Sequence, residues 1–323
     1  MTWRLLALPP LPPDVLRAAF VRDADVEVIV PAERTQAALL AALPDAELVL
    51  GDWSGSFRLD AAVFAAAPRL AFVQQPAAGT DSIDDAAAAE RGIPVSNTGA
   101  ANAVSVTEWC LAAAFVLRRQ VIVAEQALRA GEWPQTSLAI QDVAGAKVGI
   151  LGLGNIGRLT AERFAALGAE VSYWSRSVKD VPYPRLELAD LLAGSDIVVC
   201  LLPGGTDTHH LIDAQMLARM SGDALFVSAG RGSVVDEAAL AKALRDKVIA
   251  GAALDVYEKE PLPMDSPLRD LPNVLLTPHT AGSSRGAQLA IVAACQRNIA
   301  AAAAGAPVAD VVNGVDPVVR RRA

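Results

Sequence analysis

The sequence predicts an α/β protein made of two doubly wound parallel-sheet domains. Three observations carry that expectation. Short apolar runs alternate with helix-like segments through the first hundred residues; a long apolar-rich helix interrupts the alternation, which resumes near residue 147; and a chain of 323 residues has room for two cores. Strands that alternate with helices imply a parallel sheet covered on both faces.

The elements follow in order. Arg4 to Leu8, Val26 to Val30, Leu48 to Leu50, Leu70 to Val73 and Ile93 to Val95 read as strands. Val15 to Val21, Thr35 to Leu43, Asp60 to Ala67 and Ser82 to Arg91 read as the helices between them. Asn102 to Leu117 is a long helix with no strand before it, and an irregular stretch containing Gly131, Trp133 and Pro134 follows. The second series has strands at Lys147 to Leu151, Glu170 to Trp174, Asp196 to Leu202, Ala224 to Ser228, Ile249 to Leu254 and Val274 to Thr277. Helices at Ile156 to Leu167, Ala189 to Ala193, Ala214 to Met220 and Glu237 to Arg245 lie between them. A last helix, Ser284 to Ala304, leads back to the first domain, and helix propensity alone accounts for its alanine run. Arg320-Arg321-Arg322 is expected to be a frayed tail.

Composition narrows the function. Hydrophobic residues make up 53% of the chain, a share raised by alanine, and the formal charge is −8. An acidic surface excludes general binding to nucleic acid or to an anionic membrane, so an anionic ligand must be captured by local cations. Cys110, Cys200 and Cys295 are far apart and lack metal spacing, which reads as reduced thiols of a cytosolic protein, and no metal site is expected. The four prolines within Met1 to Pro13 make a poor signal peptide, and the apolar stretch Trp109 to Leu117 is about half a membrane span. The protein is expected to be cytoplasmic.

Gly152-Leu153-Gly154-Asn155-Ile156-Gly157 stands between a β-rich run and a helix. In that context it reads as a dinucleotide fingerprint: Gly152 permits the tight turn, Gly154 lets the backbone approach a pyrophosphate, and Gly157 lets helix and strand pack closely. The phosphate charge then falls on free amides at the helix N-terminus. The second strand of such a unit ordinarily ends in an acid that binds the ribose hydroxyls. Here the tip reads Ser175-Arg176-Ser177, with Lys179 close by and no carboxylate. Hydroxyls and a guanidinium suit a 2′-phosphate, so NADP is favoured over NAD.

Three further groups follow strands. Arg231, flanked by Gly230 and Gly232, can grip a carboxylate with its planar fork. Glu260 lies in the loop after the next strand, and His279 follows Thr277-Pro278 after the one beyond. A carboxylate beside a histidine raises its pKa and fixes its tautomer. His209 and His210, after Thr206-Asp207-Thr208, read as surface or capping neighbours at a helix start.

With these motifs in place, the chain resembles the D-isomer-specific 2-hydroxyacid dehydrogenases along nearly its whole length. The matching segments are Val73 to Asp84, Asn97 to Glu108, the glycine fingerprint, Leu201-Leu202-Pro203, Ser228 to Glu237, Ala253 to Pro261 and Thr277-Pro278-His279. The resemblance implies a Rossmann cofactor domain over 101–282 and a flavodoxin-like catalytic domain from 1–100 plus 283–323. It implies His279 as acid/base, Glu260 as its partner and Arg231 as the anchor for carboxylate and carbonyl. Backbone amides at Ala78 and Gly79 would hold the substrate carboxylate from the other domain. Thr107, Pro203, Ala229 and Asp255 match cofactor-contacting positions, with Asp255 at the nicotinamide end. The family is typically a homodimer built around the Asn102 to Leu117 helix and the segment after it. The tip at 175–177 is similar to that of NADPH-dependent glyoxylate and hydroxypyruvate reductases. The expected activity is therefore reversible hydride transfer between NADP(H) and a small 2-oxo or 2-hydroxy acid. The alternatives are the same chemistry with NAD and a non-catalytic nucleotide-sensing protein like the family's corepressors. Long-form phosphoglycerate dehydrogenase is set aside because no regulatory domain follows residue 323.

Overall fold

A computed structural model describes residues 2–22 and 24–322. The chain divides into two compact units. One holds the residues up to Asn102 and those from Arg285 onward; the other is Ala103–Ser284.

The first unit carries β1 (Trp3–Ala7), β2 (Val26–Ile29), β3 (Leu48–Leu50), β4 (Phe72–Gln74) and β5 (Val95–Ser96). They form one parallel sheet in the order β2-β1-β3-β4-β5. Four helices alternate with the strands: α1 (Pro13–Phe20), α2 (Gln36–Ala42), α3 (Ala61–Ala66) and α4 (Asp85–Glu90). Side-chain alternation splits the core in two, because successive residues of a strand face opposite ways. Leu6, Val49, Val73 and Val95 pack on one face, and Leu5, Ala7, Leu48, Leu50 and Phe72 on the other. The second face also receives Cys295, Ile299 and Ala302 of a late helix that returns to this unit. Thr35, Asp60 and Asp84 cap three of the helices, each side chain accepting a backbone N–H of the first turn.

The second unit opens with α5 (Ala103–Arg118) and α6 (Val121–Arg129). α6 replaces the first part of the irregular stretch expected after α5, while Gly131, Trp133 and Pro134 beyond it lie in neither helix nor strand, as read. Val121-Ile122-Val123 are poor helix formers, and no residue of α6 is buried, so its apolar side chains face solvent and propensity does not mark it in the sequence. The sheet strands are β6 (Lys147–Leu151), β7 (Glu170–Trp174), β8 (Ile197–Cys200), β9 (Leu225–Ser228), β10 (Gly251–Leu254) and β11 (Val274–Leu276). All are parallel, in the order β11-β10-β9-β8-β6-β7. Arg185 adds one isolated parallel bridge to Tyr173 on the outer side of β7. Strand order reverses between β6 and β8, the crevice where open α/β sheets receive ligands. The helices between strands are α7 (Asn155–Ala166), α8 (Leu188–Gly194), α9 (Ala214–Leu217) and α10 (Glu237–Arg245). α9 starts at Ala214, where the sequence places it, capped by Asp213; His209 and His210 lie in the turn before it.

The last helix is α11 (Arg285–Ala304). Beyond it the arginine tail does not fray as expected. The Arg321 guanidinium donates to the buried Glu47 carboxylate at 2.7 Å and lies 4.5 Å from the Trp3 ring centre. Arg322 donates to the carbonyls of Arg91 and Gly92. A buried carboxylate without a cation would be costly, and Arg69 and Arg321 supply two. Among the described residues no helix is long and apolar enough to cross a membrane.

Candidate active site

The glycine fingerprint is shaped by contacts that exclude side chains. Gly152 sits at φ +94°, a conformation that residues with a Cβ rarely adopt. A Cβ on Gly157 would fall 2.0 Å from the Gly152 carbonyl oxygen, so α7 can approach β6 only with glycine there. Gly154 faces open space, and Asn155 and Ile156 begin α7 beside it. This cradle fits the pyrophosphate of a dinucleotide, with the α7 amides as donors. Thr107 of α5 is buried and shares a hydrogen bond with Thr160 of α7 at 3.1 Å, which ties the fingerprint helix to its neighbour. Pro203 and Ala229 follow β8 and β9 at the same edge; the Pro203 carbonyl accepts the Thr208 hydroxyl, and the Ala229 amide donates to the Cys200 carbonyl.

Arg231, Glu260 and His279 follow β9, β10 and β11, three adjacent strands. His279 Nδ1 and Glu260 Oε2 are 2.7 Å apart. The other Glu260 oxygen accepts the Tyr257 amide at 3.1 Å, so the carboxylate is held from both sides. The hydrogen bond from Glu260 raises the His279 pKa above its usual value, against burial and the Arg231 charge. Burial would raise Glu260, but the bonds from His279 and the Tyr257 amide, with the charges of His279 and Arg231, outweigh it and leave the carboxyl lowered. With Nδ1 engaged, Nε2 is the nitrogen left for proton transfer. The imidazole is half exposed.

His279 holds φ +54°, strained for a residue with a Cβ. Asp255 maintains it. The Asp255 carbonyl accepts the His279 amide at 2.9 Å, while its carboxylate accepts the Thr277 hydroxyl and the Thr280 and Ala281 amides at 2.5 to 2.8 Å. The Tyr257 hydroxyl donates towards the carbonyls of Leu254 and Thr277, joining the loops that carry Glu260 and His279. Burial, with the nearby Asp255 charge, pushes that phenol up to about 12, so it remains a donor. A Cβ on Gly232 would land 1.9 Å from the Tyr257 carbonyl carbon, so the Arg231 turn lies flat against the Glu260 loop. His210 Nε2 lies 2.8 Å from Glu258 and steadies the same loop from outside.

The tip of β7 differs from its sequence reading in two respects. The Ser175 hydroxyl turns inward and donates to the Ser177 carbonyl at 2.6 Å, which leaves Arg176 and Ser177 as the displayed pair. A carboxylate does reach the tip, from another loop: Asp207 lies 3.5 Å from the Arg176 guanidinium. Arg185 is a second cation there, donating to the Ser175 carbonyl at 3.0 Å. Thirty-one residues separate Arg176 from Asp207, so no local pattern announces the pair.

In the first unit Ala78 and Gly79 lie in the loop after β4, partly exposed, and Asn97 donates to the Ala78 carbonyl at 2.7 Å. Trp53 is 45% exposed and tilts against Phe20 at 6.4 Å between ring centres.

Residues 111–281 match the model of the D-isomer specific 2-hydroxyacid dehydrogenase NAD binding domain. D-3-phosphoglycerate dehydrogenase of Mycobacterium leprae is 37% identical over 92% of this chain and 56% of its own; the chain spans about half the length of the phosphoglycerate dehydrogenases it matches. Glyoxylate reductase of Aeropyrum pernix is 38% identical over 79% of this chain and 80% of its own. The NADPH-dependent glyoxylate/hydroxypyruvate reductase of Sinorhizobium meliloti, solved with NADP and malonate, superposes with a TM-score of 0.85 at 28% identity, covering 100% of both chains. A match across most of the cofactor unit, and relatives covered over most of their own length, leave one assignment: the chain belongs to the D-isomer specific 2-hydroxyacid dehydrogenase family.

Proposed function

We propose that the protein reduces small 2-oxo acids of the glyoxylate and hydroxypyruvate type to D-2-hydroxy acids, with NADPH as the cofactor. The observation that carries the reading is the His279–Glu260 pair at 2.7 Å, with Arg231 close enough to act on both charges. When bound, the reduced nicotinamide supplies the hydride to the carbonyl carbon. His279 gives its Nε2 proton to the carbonyl oxygen, and Glu260 stabilises the imidazolium beforehand. Arg231 grips the carboxylate and stabilises the developing alkoxide. The Ala78 and Gly79 amides are donors for a substrate carboxylate.

On the cofactor side, Gly152, Gly154, Asn155, Ile156 and Gly157 cradle the pyrophosphate, and Ser175, Arg176 and Ser177 meet the 2′-phosphate. Thr107, Pro203, Ala229 and Asp255 complete the cofactor site. Residues 101–282 act as the dinucleotide domain, and 1–100 with 283–323 as the substrate domain. A homodimer fits the exposed apolar side chains Phe115, Val121, Ile122, Val123, Leu128 and Trp133, which a partner surface would cover. A cytoplasmic setting fits three buried free cysteines.

One observation favours NAD as a second reading: Asp207 at the β7 tip would repel a 2′-phosphate and could accept from ribose hydroxyls. The test is loss of NADPH or NADH absorbance against a panel of 2-oxo acids. Oxidation of NADPH by glyoxylate or hydroxypyruvate supports the proposal. Binding of NADPH with no turnover on any acid overturns it in favour of a nucleotide sensor, and a preference for NADH favours the second reading.

A further inference from the structure

A chain of carboxamides, buried at Asn298 and Gln74 and half-buried at Asn97, runs through the first unit towards the loop that carries Ala78 and Gly79. Asn298 of α11 donates to Gln74 Oε1 at 2.7 Å, and its own oxygen accepts the Ala309 amide at 2.9 Å. Gln74, fully buried at the end of β4, donates to the carbonyls of Gln75 at 2.9 Å and Asn97 at 3.0 Å. The Asn97 amide nitrogen donates to the Asp310 carbonyl at 3.1 Å. The Asn97 side chain ends the relay: its oxygen accepts the Gly99 amide at 2.8 Å, and its Nδ2 donates to the Ala78 carbonyl at 2.7 Å.

Such a network is an expensive way to fill a core. Buried amides return little net stability over apolar side chains of the same shape, but when fully satisfied they impose one geometry. The geometry imposed here is that of a single peptide plane. A trans peptide sets C=O and N–H in opposite directions. Fixing the Ala78 carbonyl on Asn97 therefore fixes the Gly79 N–H pointing away from Asn97. Among the described residues no protein group accepts from the Ala78 or Gly79 amides. The far end of the loop is pinned separately, by the Thr80 hydroxyl on Asp85 at 2.8 Å.

We infer that Asn97 is a positioning residue for the substrate carboxylate: it locks the Ala78–Gly79 peptide with the Gly79 amide presented outward. The inference rests on the carboxylate-binding role proposed above for that loop. It makes Asn97 responsible for anion affinity and leaves hydride transfer and cofactor binding to other residues.

Two variants test it. Asn97→Asp keeps the shape but sets an acceptor against the Ala78 carbonyl; Asn97→Ala removes the donor without adding charge. With saturating NADPH, glyoxylate KM should rise about tenfold or more in both, and oxalate should weaken in parallel as a competitive inhibitor, while kcat stays within about threefold. NADPH affinity, read by fluorescence titration, should not change. An unchanged KM in Asn97→Ala overturns the inference. So does a rise in KM accompanied by joint loss of kcat, NADPH affinity and melting temperature, which marks Asn97 as merely structural, as would failure of both variants to fold. Wild-type protein inert towards every 2-oxo acid overturns the functional reading itself; an active wild type with unaffected variants removes only the role of Asn97.

Discussion

The loop after β11 and the loop after β7 end strands of one sheet, yet they are held in opposite ways. His279 is kept at a strained φ by four bonds to Asp255, and its ring is fixed by a carboxylate that is itself held. Arg176 is 76% exposed and meets an equally exposed Asp207 at 3.5 Å. The difference follows from what each group is proposed to do. Proton transfer works only within hydrogen-bond reach, so a small displacement costs rate. Attraction between a guanidinium and a phosphate declines gently with distance, so a mobile cation still serves. Strain and buried bonds therefore collect at β11, and the cofactor tip is left on the surface.

If that contrast holds, substitutions at β11 should act on kcat and those at β7 on cofactor choice. The largest effect is expected from His279→Ala, which should lower kcat for 2-oxo acid reduction by roughly a hundredfold or more with NADPH affinity kept. A kcat within a few-fold of wild type would remove His279 from the proton transfer.

Glu260→Gln sharpens the same side. His279 has a raised pKa, so its imidazolium is present below that pKa and is lost as pH rises through it. Reduction, which needs the proton, should hold at low pH and fall on the alkaline side, while oxidation of the hydroxy acid should improve there. Glu260→Gln keeps the shape but removes the charge that supports the imidazolium, so the alkaline limb of kcat/KM should move to lower pH by about one unit. Superimposed profiles would show that Glu260 does not tune the proton.

The same contrast governs what the sequence reveals. Strands and the glycine turn are local features, legible because apolar runs and glycine spacing lie within a few residues of one another. The strand-end positions of Arg231, Glu260 and His279 follow from the same runs. Features made by distant partners were not legible. Arg321 and Glu47 are 274 residues apart, so the arginine tail reads as frayed when it is clamped. The carboxylate of Asp207 reaches the β7 tip from a different loop, so the tip reads as free of acid. Tyr257 and Asn97 act through backbone atoms of other segments and leave no spacing signature. The helix α6 is hidden for another reason: its β-branched start and exposed apolar face look like neither a core helix nor a solvated one.

On the β7 side, Arg176→Ala should cut the preference for NADPH over NADH about tenfold, the lower end for a charge-assisted bond to phosphate, because the site is open to solvent. Measuring kcat/KM with both cofactors decides it; unchanged selectivity would move the 2′-phosphate contact to Ser177 or Arg185.

Asp207→Asn should give the smallest effect, and the most diagnostic one. Its carboxylate occupies part of the Arg176 guanidinium and carries the charge a 2′-phosphate must approach. Removing that charge should improve kcat/KM for NADPH by about two- to fivefold, the scale of exposed ion pairs, and less at high salt, where screening has already weakened the pair. NADH has no 2′-phosphate to repel. Its kcat/KM should stay level, or fall if Asp207 accepts from the ribose hydroxyls. The gain should also need its partner: in Arg176→Ala, where no guanidinium is left to release, adding Asp207→Asn should recover only the repulsive part. A double-mutant cycle on NADPH kcat/KM at low and high salt separates the two contributions. A gain of equal size with and without Arg176 would mean that Asp207 acts on the phosphate alone. No gain at all would mean that the pair does not govern cofactor choice, and the exposed tip would then owe its selectivity to Arg185 and Ser177.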